Sequence, residues 1–249
     1  MGEIRIQGNV HDIRIVKKGT VTYMRFGLHG GWQGALHHQH PSRPVFPYQR
    51  AFAAALEMVG PIHSFLSVGV GTGTSITSVT NRFPESEIYG VDVDEQVIQA
   101  AIQYFNAPSY ENANYFVGDG LKYIRSSDRK FDLMFLDAYM STQIYSPVLE
   151  LDVLQWIDEA LAEATGTACF NVISQVPPYG QVKRWWQEAK NRFPSAIMIP
   201  VGVPYTSQNT LVILSKSEHI SNLRIRSALR HSQILSPWER LTWPLRLRS

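Results

Sequence analysis

Phe65-Leu66-Ser67-Val68-Gly69-Val70-Gly71-Thr72-Gly73-Thr74-Ser75 is the stretch of this 249-residue chain that decides the fold. An apolar run of strand length enters a turn with glycine at alternate positions, and a pattern with Ile76 and Val79 at helical spacing follows. Glycine lets a backbone approach a ligand closely, which suits a nucleoside held at the carboxyl end of a strand. A dinucleotide-binding fingerprint would place its third glycine at position 74, where Thr74 stands.

Working outward from this turn, strands and helices alternate. Apolar runs predict strands over 64–69, 87–92, 113–117, 131–136, 167–173, 196–201 and 209–215, with helices over about 74–82, 94–106, 119–126, 147–163 and 180–193. Nearly continuous apolar strands such as Phe131-Asp132-Leu133-Met134-Phe135-Leu136 suit a parallel sheet covered on both faces. Only residues 202–208 separate the last two strands, too few for a helical crossover, so the last strand runs antiparallel. The expected fold is α/β: a doubly wound, seven-stranded, mostly parallel sheet of the class I methyltransferase type.

Upstream, Asp12–Val16 and Thr20–Phe26 alternate around Lys17-Lys18-Gly19 and predict a short β-hairpin. Four glycines and three prolines over 27–47 read as a long loop, and a helix starts at Tyr48. Beyond 215 the pattern predicts a helix over about 218–231 and then a tail. The expected organisation is thus an N-terminal hairpin and loop (1–47), a catalytic domain (48–215) and a basic C-terminal helix and tail (216–249).

Acids recur at strand ends. Tyr89-Gly90-Val91-Asp92-Val93-Asp94 places Asp92 where a carboxylate can accept ribose hydroxyls, while Asp94 reads as the N-cap of the next helix. Asp119 in Gly118-Asp119-Gly120 is placed to accept from an adenine amino group, or equally to cap a helix. Asp137 ends the fourth strand and is the best general-base candidate, whereas Asp132 begins that strand and reads as structural. Gly69, Gly71 and Gly73 look more like an S-adenosyl site than a pyrophosphate site.

Taken in order, these segments resemble the polyamine aminopropyltransferases, the spermidine and spermine synthases, over roughly residues 12–215. The family's Gly-Gly-Gly-Asp-Gly motif aligns with Gly69 to Gly73, its ribose acid with Asp92, its adenine-binding acid with Asp119 and its catalytic acid with Asp137. His29-Gly30-Gly31-Trp32-Gln33 resembles the family's Asp-Gly-x-x-Gln turn, and Tyr48-Gln49-Arg50 its Tyr-His-Glu helix start. The resemblance implies aminopropyl transfer from decarboxylated S-adenosylmethionine to a small-molecule amine. Asp137 would act as base with Tyr48 and Tyr139 as hydrogen-bond partners. Gln33, Gln49, Gly69, Gly71, Thr72, Gly73, Asp92, Val93, Asp119 and Gly120 would hold the co-substrate. No permanently bound cofactor and no metal are expected.

Thr72, Arg50 and Met140 stand where the family carries acids. Loss of the acid at 72 relaxes exclusion of ordinary S-adenosylmethionine. A methyltransferase and a non-catalytic nucleoside-binding protein therefore stay open as alternatives.

Net charge is +2, but it divides into +5 over 1–50, −8 over 51–204 and +5 over 205–249. This distribution argues against a uniformly basic nucleic-acid binder. No run approaches the ~18 apolar residues of a membrane span, and one cysteine, Cys169 in an apolar run, suits a reducing cytoplasm. Neither nucleic acid nor membrane is an expected partner; a homodimer is possible. His29, His37, His38 and His40 read as solvated loop residues, Trp185 and Trp186 as packing residues, and the scattered C-terminal arginines as the polar side of a packed helix and tail.

Overall fold

The computed structural model describes every residue except Met1, Ala138, Ser141, Thr142, Tyr145 and Tyr205; the side chains of 139, 140, 143, 144 and 146 also lie outside the described set. The deciding stretch folds as strand β5 (Ser64–Val68), a turn, and helix α2 (Thr74–Arg82), with labels counted from the N-terminus. Gly69, Gly71 and Gly73 take φ of +80°, +54° and +68°, a region that side chains with a Cβ adopt only under strain.

Around β5 lie β6 (Glu87–Asp92), β7 (Asn114–Val117), β8 (Leu133–Leu136), β11 (Thr167–Ser174), β12 (Ser195–Pro200) and β13 (Gln208–Ser215). Together they form one sheet in the order β12-β13-β11-β8-β5-β6-β7. Strand β13 runs antiparallel to both β11 and β12, and the pairings among β11, β8, β5, β6 and β7 are parallel. The two-residue strands β9 (Tyr139–Met140) and β10 (Gln143–Ile144) form a separate pair.

Apolar clusters cover both faces. One joins Phe52, Phe65, Ile76, Phe135 and Ile213 under α1 (Pro47–Ala55) and α2; the other joins Leu66, Phe131, Leu154, Phe170 and Trp185 under α5 (Leu151–Ala160) and α6 (Gly180–Arg192). Strands covered on both faces have no polar side to expose, which explains their lack of alternation. Trp185 and Trp186 are core residues, and Cys169 is buried, where burial pushes its thiol pKa up. Asp132 is structural: its Oδ2 accepts from the backbone N–H groups of His63 at 2.8 Å and Ser64 at 3.0 Å.

The N-terminal hairpin is present as β2 (Asp12–Lys18) and β3 (Val21–Phe26), but it belongs to a four-stranded antiparallel sheet completed by β1 (Gly2–Gln7) and β4 (Trp32–His37). The loop expected over 27–47 is therefore partly strand. Glycine and proline on either side of Trp32–His37 hid a segment whose buried Ala35 and Leu36 pack inward. Ile13, Ile15, Met24, Phe26 and Leu36 pack on Val97, Ala100 and Phe105 of α3 (Glu95–Phe105).

Three boundaries differ from expectation. Residues 146–149 form a 3-10 turn before α5, so the helix is shorter than the expected 147–163. The expected helix over about 218–231 is shorter at its start, as α7 (Asn222–His231). The tail is itself helical, as α8 (Pro237–Arg246), begun by a capping box between Ser236 and Glu239. The Ser-Pro-x-Glu signature of a helix start was present in the sequence. No described helix is long and apolar enough to cross a membrane.

Candidate active site

Parallel strands end together, and chain reversals at those ends open a crevice. Here it is a cavity of about 730 Å³ bordered by the β5 turn, the residues following β6, β7 and β8, strands β11 and β13, and the N-terminal sheet above. Gly69, Gly71, Asp92, Val93, Asp119, Gly120 and Asp137 line it, with Gln33 from β4 and Tyr48 from α1.

Asp92 is buried, its Oδ2 accepting from Val70 N–H at 2.9 Å and Gly71 N–H at 3.4 Å, and its Oδ1 from Asp94 N–H at 3.2 Å. Burial pushes its pKa up to about 6, against the pull of those three backbone donors. Asp119 sits at the mouth of α4 (Gly120–Ser126), where Oδ1 accepts from Leu121 and Lys122 N–H at 2.9 Å each; it caps the helix and lines the cavity at once.

Asp137 follows β8. The Tyr48 hydroxyl donates to its Oδ2 at 2.7 Å, and Asn171 Nδ2 donates to its Oδ1 at 2.8 Å. Asn209 Nδ2 in turn donates to Asn171 Oδ1 at 2.9 Å. Burial pushes the Asp137 carboxyl up to about 6, opposed by the Asn171 and Tyr48 hydrogen bonds. A carboxylate poised near neutral pH and oriented by two donors can hold an ammonium and accept its proton.

Three of the expected co-substrate residues stand outside the lining. Gln49 is buried and donates from Nε2 to the Tyr48 hydroxyl at 3.2 Å, which makes it a support for Tyr48. Thr72 is buried against Gly34 of β4, its hydroxyl 2.9 Å from that of Thr74. Gly73 caps α2 from a left-handed conformation against Ala107. Tyr139, expected as a hydrogen-bond partner of Asp137, and Met140 beside it have side chains outside the described residues. Arg50 does not enter the cavity: it pairs with Glu239 of α8, Nε to Oε1 3.0 Å, and donates to the Pro44 and Val45 carbonyls.

Asn171, Asn209 and His11 are lining residues that sequence reasoning missed. A lone amide inside the apolar strand Cys169-Phe170-Asn171-Val172 was a usable signal for Asn171, since a buried amide needs partners. Nothing local marks His11, which stacks on Phe26 with ring centroids 3.9 Å apart; burial lowers its pKa, against the Asp94 charge. Asp94 caps α3 as expected, and its carboxylate also accepts from the N–H groups of Asn9, Val10 and His11, tying the β1–β2 turn to the large sheet.

A glycine turn at the edge of this sheet, with acids at the ends of the next strands facing one cavity, is the arrangement of a methyltransferase-like fold. A family profile described as a methyltransferase domain matches residues 65–162. Curated relatives include polyamine aminopropyltransferases, among them that of Chromobacterium violaceum, 24% identical over 233 residues, 92% of this chain and 80% of that protein. The chain spans only 21%, 45% and 63% of the length of the first three relatives it matches. In fold it is similar to a probable spermidine synthase from Corynebacterium glutamicum, with TM-score 0.78, 14% identity and coverage of 92% of this chain and 88% of that one. It is similar also to a spermidine synthase solved with the transition-state analogue AdoDATO, with TM-score 0.68, 16% identity and coverage of 95% and 82%. The chain is thus a relative of the polyamine aminopropyltransferases on a class I methyltransferase-like fold.

Proposed function

We propose that the protein transfers an aminopropyl group from decarboxylated S-adenosylmethionine to a primary amine. The observation that carries this reading is Asp137, held between Tyr48 and Asn171 in the same cavity as Asp92 and Asp119. Asp92 accepts the ribose hydroxyls beside Val93, Asp119 and Gly120 border the adenine, and the Gly69–Gly71 turn lets the nucleoside approach the backbone. The amine nitrogen attacks the carbon next to the sulfonium. A C–N bond forms, the C–S bond breaks with its electron pair going to sulfur, and methylthioadenosine leaves.

The ammonium proton passes to Asp137. A primary amine has a pKa near that of lysine, ~10.4, so raising the acceptor from 3.8 to about 6 narrows the mismatch by roughly 3 kcal/mol. Among the described lining residues there is no Lys or Arg to receive the carboxylate of ordinary S-adenosylmethionine, and residues 138–146 contain none in sequence. The two co-substrates share an ammonium and differ by that carboxylate, so its lack of a described partner favours the decarboxylated form over methyl transfer. Thr72 lies outside the lining, so the lack of an acid at that position does not decide between the two co-substrates.

Residues 48–215 would supply the chemistry, 1–47 the cover over the cavity and 216–249 a brace. A cytoplasmic setting fits the buried thiol of Cys169, and the open edge of β1, with exposed Ile4, offers a pairing surface for a homodimer.

The test is incubation with decarboxylated or ordinary S-adenosylmethionine and a panel of amines. Methylthioadenosine together with an aminopropylated amine is the expected product pair. S-adenosylhomocysteine would establish methyl transfer instead, and nucleoside binding without either product would establish a non-catalytic role.

A further inference from the structure

The sheet order lays the cavity's polar groups along one line. From β7 to β13 the carboxyl edge presents Asp119, Asp92, the glycine turn, Asp137, Asn171 and Asn209, with strands spaced roughly 4.8 Å apart. The nucleoside half therefore holds two carboxylates. Past Asp137, on the side left for the acceptor, the described lining residues include the amides Asn171 and Asn209, the apolar Phe46, Pro47 and Ile173, and Tyr48, whose hydroxyl is bonded to Asp137. Asp92, Asp119 and Asp137 are the only acids among the described lining residues. Trp32, the lining indole that could take a cation on its face, already lies 4.7 Å from Lys18 Nζ and 5.4 Å from Arg25.

We infer that the acceptor is a primary monoamine whose far end is uncharged. This inference rests on the aminopropyl-transfer reading of the same site. One ammonium is matched by Asp137. A second, farther along the acceptor, meets no counter-ion among the described lining residues, and a charge without a partner in such a place is disfavoured. A neutral tail is accommodated by Phe46, Pro47 and Ile173, and a terminal hydroxyl can reach the amides.

The intact protein, loaded with methylthioadenosine, is titrated with butylamine and with diaminobutane at pH 8, and the two are compared as acceptors with decarboxylated S-adenosylmethionine. The expected result is at least about tenfold preference for butylamine in both affinity and kcat/KM. Equal or stronger use of diaminobutane overturns the inference, as does failure of butylamine to bind. Preferential binding of butylamine with no methylthioadenosine formed from any amine overturns the transfer reading alone. Ile173→Asp, two residues beyond Asn171 on the same face of β11, should swing the preference at least tenfold toward diaminobutane, with retained affinity for methylthioadenosine as the check that the variant is folded. An unchanged preference there also counts against the inference.

Discussion

The Tyr48 hydroxyl donates to Asp137 Oδ2 at 2.7 Å, joining the first turn of α1 to the end of β8. A donor to the ionised form lowers a carboxyl pKa, so Tyr48→Phe should raise that of Asp137 further. The acid limb of kcat/KM is expected at an apparent pKa of about 6 in the parent and about one unit higher in the variant, consistent with a charged hydrogen bond of roughly 1.5 kcal/mol. Asp137→Asn should abolish the limb together with the activity. A parent profile flat down to pH 5 would remove Asp137 from the role of base.

Asp92 is the second carboxyl raised by burial, and only its ionised form accepts from two hydroxyls without donating. Affinity for methylthioadenosine, measured by calorimetry, should therefore fall about tenfold between pH 7 and pH 5 as a group of pKa about 6 takes up its proton. In Asp92→Ala the affinity should be weak and independent of pH over that range. Full affinity in that variant would refute the ribose assignment.

Gly8 approaches Asp94 so closely that a Cβ on it would lie 2.2 Å from Oδ2. Gly8→Ala should loosen the four-stranded sheet, seen as faster hydrogen exchange over residues 2–37 than over the large sheet. Asp94→Ala removes the acceptor for four backbone N–H groups and should cost about 3 kcal/mol or more. Burial raises the Asp94 pKa, but those donors outweigh it and leave the carboxyl below its usual 3.8. The folded value is the lower one, so this contribution is whole above about pH 4 and fades as the pH falls below that. Acid titration of exchange rates should show the N-terminal sheet loosening there.

Arg50 and Glu239 form a nearly buried pair, with side chains 15% and 9% exposed. Burial raises the Glu239 pKa, yet the Arg50 and Ser236 hydrogen bonds hold it below the usual range. Removing one partner strands the other, so Glu239→Ala should lower stability to denaturant by about 3 kcal/mol. The reversed pair, Arg50→Glu with Glu239→Arg, should recover part of the loss. A single variant within about 0.5 kcal/mol of the parent would show that the pair does not brace α1.

Much of this arrangement was legible in the sequence because it is local. The Phe65–Ser75 stretch needed only an apolar run, three glycines and the absence of glycine at 74. Asp94 could be recognised as a cap because its acceptor role concerns the next few residues. The same locality hid its second role, since the N–H groups of residues 9–11 arrive from a distant turn. Arg50, which stands where the resembled family carries an acid, has its partner in Glu239, nearly two hundred residues away, and no local pattern reveals that pairing. Trp32–His37 is a strand through its pairing with β3, a long-range contact that the local glycine and proline content does not reveal.

The order of apolar runs by itself determined the seven-stranded sheet, and the position of each acid at or just after the end of its strand determined that Asp92, Asp119 and Asp137 share one edge. Those facts follow from backbone periodicity and from parallel strands ending together. Tertiary structure alone decided that Thr72 turns away toward β4, that Gln49 supports Tyr48, and that Asn171 and Asn209 continue the line beyond Asp137. Side-chain direction at a turn and contact between distant strands depend on packing, and burial is what raises the pKa of Asp92 and Asp137.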